Sequence, residues 1–104
     1  MTYLGKETPL TWLGHATFLF GTPSGRRVII DPWLEGNPSC PEKYHDPDPI
    51  DLILLTHGHA DHISDVVPLA KKHGSKVVAN VEISHWLRGK GIPDEQVVEC
   101  RNAG

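Results

Sequence analysis

Residues 50–56 read Ile-Asp-Leu-Ile-Leu-Leu-Thr, a nearly continuous apolar run, and lead without a break into His57-Gly58-His59-Ala60-Asp61-His62. A short apolar run without alternation is the mark of a strand covered on both faces, which points to a parallel strand within an α/β sheet. The chain therefore has to place a dense polar cluster at the end of a buried strand. In an extended segment, residues two apart project to the same side, so His57 and His59 can grip one ion together. Asp61 and His62 follow as the chain turns toward a helix and can face a second ion. Gly58 and Ala60 keep the spacers small. Imidazole and carboxylate without thiolate are ligands for zinc, iron or manganese. A solvated loop with chance histidines is the bland alternative, and four potential ligands in six residues behind a buried strand argue against it.

The flanking segments support an α/β reading. Residues 8–20 read as extended, with Gly14-His15 as a bulge or a close backbone approach. Thr22-Pro23-Ser24-Gly25 is a turn, and residues 27–30 return as a β-branched strand ending on Asp31-Pro32. Five of the nine prolines fall between positions 32 and 49, which predicts a long irregular loop. Ser64 is a plausible N-cap for a helix running to about Lys72, with Pro68 near its first turn and His73-Gly74 closing it. Residues 76–79 form another strand. Asn80 can cap a second helix on which Ile83, Trp86 and Leu87 share a face, ending near Gly89. Residues 97–100 make a last strand. The expectation is one domain over residues 1–104, a mixed sheet with helices on one face.

Composition narrows the function classes. Ten basic and thirteen acidic residues give a formal charge of −3. That balance disfavours nucleic acid and anionic lipid as partners, since both want a basic surface. No apolar run is long enough to span a bilayer, and the first ten residues lack the pattern of a secretory signal. Cys40 and Cys100 match no ligand spacing and read as buried thiols in a reducing cytosol.

Thr56-His57-Gly58-His59-Ala60-Asp61-His62 resembles the HxHxDH motif of the metallo-β-lactamase superfamily. Trp12-Leu13-Gly14-His15-Ala16-Thr17, Ile30-Asp31-Pro32-Trp33 and Gly36-Asn37-Pro38 are similar to its metal-dependent hydrolase branch, near the ascorbate-lactonase-like and phospholipase-D-like members. The resemblance implies the N-terminal half of an αββα sandwich. It implies His57 and His59 as ligands of a first metal and Asp61 and His62 as ligands of a second, two zinc ions in all, with manganese or iron served by the same set. Asp61 would also orient the bridging water. A metal-bound hydroxide would then attack an ester, lactone, amide or phosphodiester of a small-molecule substrate.

The resemblance further implies that Asp31 supports the metal histidines from behind, as ligand imidazoles generally require; a turn-capping aspartate is the alternative. His15 either points into the pocket as a catalytic candidate or is a satisfied core histidine, and the residues leave both open. His45, His73 and His85 read as structural or solvent-facing, His73 as a cation suited to a helix end. Trp12, Trp33 and Trp86 read as core or pocket wall. After His85 there is no histidine, and Asp94, Glu95 and Glu99 look like surface acids. Each ion would have two ligands where catalytic zinc takes three. The missing ones would come from a C-terminal half or a second copy of the chain. The rivals are a non-catalytic assembly module and a di-iron redox member of the same fold.

Overall fold

The computed structural model describes residues 2–3, 9–13, 17–34, 37–44, 49–56 and 65–100. Its strands are β1 (Thr2–Tyr3), β2 (Pro9–Trp12), β3 (Phe18–Gly21), β4 (Arg27–Ile30), β5 (Leu52–Leu54), β6 (Lys76–Ala79) and β7 (Val97–Glu99). Two helices, α1 (Val66–His73) and α2 (Val81–Gly89), connect β5 to β6 and β6 to β7. Short 3-10 turns occupy Glu42–Tyr44 and Asp94–Gln96. The seven strands form one sheet in sequential order. β1 to β4 are antiparallel neighbours, and β4 to β7 run parallel.

Register explains where the core sits. Leu19, Ile29, Ile53, Val77 and Val97 are paired one to the next across five strands, and all five are buried. Val66, Leu69 and Ala70 of α1 and Ile83 and Leu87 of α2 join the same cluster, so both helices cover this face. Burying such a side chain contributes about 2 kcal/mol, and the row is the main stabiliser of the sheet. The opposite face carries a second apolar row, Trp12, Phe18, Ile30, Leu54, Val78 and Val98, also in register. These side chains are half-buried or exposed. The expectation that β5 is covered on both faces therefore holds for Ile53 and Leu55 but not for Leu52 and Leu54.

Local chemistry fixes the ends of the elements. Asn80 accepts the Ile83 N–H at 2.8 Å, an N-cap that contributes about 1 kcal/mol. Gly74 follows α1 with φ of 65°, the left-handed stop expected of glycine there. Gly25, at φ 87°, closes the β3–β4 turn, its N–H donating to the Thr22 carbonyl.

Several sequence-based expectations need correction. Residues 8–20 are not one bulged strand. The chain reverses between β2 and β3, with Leu13 N–H donating to Thr17 O at 2.9 Å, because three residues suffice to turn there and Trp12 can then pair with Phe18. Of the two readings of His73, structural or solvent-facing, the structural one holds: its Nδ1 accepts the Ile50 N–H at 3.2 Å. Trp12 and Trp86 are 58% and 39% exposed rather than core, and Lys90 lies 5.6 Å from the Trp86 ring centre. Trp33 is half-buried. Cys40 is buried as expected but Cys100 is exposed, and neither is in a disulfide. Asp94, Glu95 and Glu99 are surface acids, as expected. Asp94 and Glu99 pair with Arg88 and join α2 to the 3-10 turn and β7.

Candidate metal centre

The parallel strands β4, β5 and β6 end on the same edge of the sheet, the edge at which open α/β sheets hold their ligands. β5 leads through Leu55 and Thr56 into position 57. His57, His59, Asp61 and His62 lie outside the described residues, as do His15, His45 and Ser64; the N-cap expected at Ser64 falls instead to Asp65, because the helix begins at Val66. Among the described residues no group of three or more histidine, cysteine or acidic side chains gathers in one place. What the structure describes is the mount on either side of these segments.

Asp31 is the centre of that mount. It follows β4 with φ of 46°, a conformation that aspartate tolerates better than most residues, and it is 2% exposed. Its backbone N–H donates to Leu54 O at 2.9 Å, continuing the parallel ladder. Its carboxylate accepts twice from Thr56, from the backbone N–H at 2.7 Å and from the hydroxyl at 2.5 Å. Thr56 is the residue directly before His57. Asp31 therefore holds Thr56, the residue directly before position 57, through both of its polar groups. Thr17 backs it up: this buried hydroxyl donates to Asp31 O at 2.7 Å and accepts Trp33 N–H at 3.2 Å.

Two further residues complete the mount, and sequence reasoning missed both. Asn37 is 4% exposed; its Nδ2 donates to Leu13 O at 3.2 Å and Trp33 O at 2.9 Å, while its Oδ1 accepts Ser39 N–H at 3.0 Å. It ties the proline-rich loop to Leu13, the last described residue before His15. Asp65 Oδ2 accepts Leu34 N–H at 2.5 Å. Gly36-Asn37-Pro38 was visible as a motif, but nothing in it says which carbonyls the amide reaches.

Cys40 sits in the same loop, its Sγ directed at Pro41 O at 3.6 Å. Burial, and secondarily the charge of Asp65, push its thiol pKa above the ordinary value. Raising the pKa favours the neutral thiol, so the folded protein resists thiolate formation until the pH passes that raised value. With Ellman's reagent at pH 8, Cys100 is expected to react at least ~10-fold faster than Cys40, which should become reactive on unfolding. Equal rates for two thiols in the folded chain would contradict this placement.

A family model for the metallo-beta-lactamase superfamily matches residues 10–98. This chain belongs to that superfamily. Two curated relatives in it are described as UPF0173 metal-dependent hydrolases. One, from Roseiflexus sp. (strain RS-1), is 40% identical over 107 residues, spanning 100% of this chain and 44% of the relative. The other, from Koribacter versatilis (strain Ellin345), is 50% identical over 95 residues, spanning 91% of this chain and 40% of the relative. Among solved structures, a metallo hydrolase from Ignicoccus hospitalis superposes with a TM-score of 0.77 at 33% identity, over 91% of this chain and 40% of that one. The chemotaxis sensor ODP from T. denticola gives 0.66 at 21% identity over 98% and 44%, which shows a shared fold. The metallo-β-lactamase fold is thus established for a chain spanning less than half of each relative, the share expected of one half of a two-half sandwich.

Proposed function

We propose that this chain carries the first ligand segment of a metal-dependent hydrolase. The observation that carries the reading is the buried Asp31 carboxylate holding both polar groups of Thr56, the residue before the HxHxDH cluster. A buried, charge-assisted clamp in that place suits a segment whose side chains must keep a fixed spacing. Histidine and aspartate donors without thiolate fit a divalent ion. His57 and His59 would hold one ion and Asp61 and His62 another, with zinc the first candidate and manganese or iron compatible. When bound, such ions lower the pKa of coordinated water toward neutrality and polarise the oxygen of a scissile bond. The chain's own part is to fix the ligands through Asp31, Thr17 and Thr56, and to orient the attacking water through Asp61. His15 is the further catalytic candidate, for proton transfer at the rim. The substrate class is a small molecule with an ester, lactone, amide or phosphodiester bond.

Completing the ligand set calls for a second half or a second copy. The in-register apolar row from Trp12 to Val98 supports that reading, since an apolar sheet face of this extent favours association. No helix among the described residues is long and apolar enough to cross a membrane.

Elemental analysis after dialysis without chelator, combined with light scattering on the eluted peak, tests this. Close to two ions per chain in a species larger than a monomer is expected. A metal-free monomer after loading with excess zinc would overturn completion by a second copy and leave only completion by a second half, while metal content unchanged in His59→Ala would overturn the ligand reading itself.

A further inference from the structure

Asp65 occupies the N-cap position of α1, yet its side chain makes no cap hydrogen bond to the helix. The sequence supplies a reason. Of the two N–H groups an N-cap aspartate can accept from, those of the second and third helical residues, only that of Val67 is present here, because the third residue is Pro68. The carboxylate turns instead to Leu34, 31 residues earlier, and accepts its backbone N–H at 2.5 Å. Leu34 is fully buried, so its position is set by the core.

The two described residues flanking positions 57–64 are Thr56 and Asp65. Both are fastened to the same short stretch of the proline-rich loop, Thr56 to Asp31 and Asp65 to Leu34. We propose that Asp65 is a positioning residue that clamps the trailing flank of the ligand segment onto this loop, as Asp31 clamps its leading flank. The eight intervening residues then start and finish on anchors three positions apart. Neither end can slide without breaking a charge-assisted hydrogen bond. Asn37 braces the loop itself, through Leu13 and Trp33. The inference rests on the reading of His57, His59, Asp61 and His62 as ligands, and concerns what holds them in register.

Hydrogen exchange on the metal-free chain tests the clamp independently of that reading. Asp65→Ala is expected to speed amide exchange at Leu34 and across residues 57–64 at least ~10-fold, leaving β5, β6 and the C-terminal turns of α1 unchanged. Asp65→Asn keeps a carbonyl oxygen for Leu34 and is expected to restore most of the protection. Exchange in Asp65→Ala within about twofold of wild type at these positions overturns the proposal, as does loosening that spreads through all of α1, which would make Asp65 only a helix-stabilising residue. Chelator competition with Zn²⁺ reads the consequence. Wild-type affinity is expected to fall about 10–100-fold in Asp65→Ala and to recover in Asp65→Asn. Absence of zinc binding in wild type itself would count against the metal reading, while the exchange result would still decide the clamp.

Discussion

Replacing Asp31 with alanine is expected to destabilise the chain by about 2–3 kcal/mol and to lower Tm by roughly 10–20 °C. The side chain is buried and accepts two hydrogen bonds from Thr56. Its loss leaves the N–H and hydroxyl of Thr56 without their acceptor. Thr56 is itself exposed, so water can replace part of what is lost, and the figure is set below the full cost of two orphaned groups. Alanine also tolerates the φ of 46° less well than aspartate. Asp31→Gly removes the φ penalty, because glycine adopts that φ freely, and its deficit reports the lost carboxylate plus the entropy of a more flexible unfolded chain. Asp31→Asn should lose less than half as much, since its oxygen can accept the amide N–H while its nitrogen donates to the threonine hydroxyl. Thermal melts followed by circular dichroism decide the order. A melting point for Asp31→Ala within a few degrees of wild type would remove Asp31 from the centre of the mount.

Replacing His59 with alanine is expected to do the opposite, removing metal while sparing the fold. On the proposed reading, His57 and His59, two residues apart in the sequence, share one ion. Losing one of them should weaken metal retention by more than about 100-fold, beyond what loss of a supporting group causes. The core row lies on β3 to β7 and contains neither histidine, so the metal-free melting point should stay within a few degrees of wild type. Metal content by elemental analysis and far-ultraviolet circular dichroism on the same sample make the test. Unchanged metal content would show that the cluster is not the site.

The parts of this molecule legible in the sequence are those that depend on neighbours along the chain. Asn80 three residues before Ile83, Gly74 after His73, the Thr22 to Gly25 turn and the apolar run at Ile53 each carry a local signature, and each element formed where that signature lies. The histidine cluster is also a local pattern, six consecutive residues, but it lies outside the described residues. The β2–β3 reversal was not, because Gly14-His15 fits a bulge as well as a turn, and only the pairing of Trp12 with Phe18 decides between them. Asp65 and Asn37 were not legible either. Their partners, Leu34 and Leu13, are 31 and 24 residues away, and no local pattern encodes a contact at that separation. Of the two readings of Trp12 and Trp86, core or pocket wall, the core one failed because size and apolarity alone do not say which side of a sheet or helix is covered.

The sheet's strand order has a consequence for how the molecule is made. Every strand pairs with the one just before it in the chain, from β1 through β7. Among the described residues no strand has to wait for a later segment to be inserted between it and its predecessor. During synthesis the β2 to β4 meander can close first from short loops, and each βα unit can then dock on an edge that is already present. The growing edge passes from β4 to β5, β6 and β7 in turn, so the ribosome delivers each strand in the order in which the sheet can accept it.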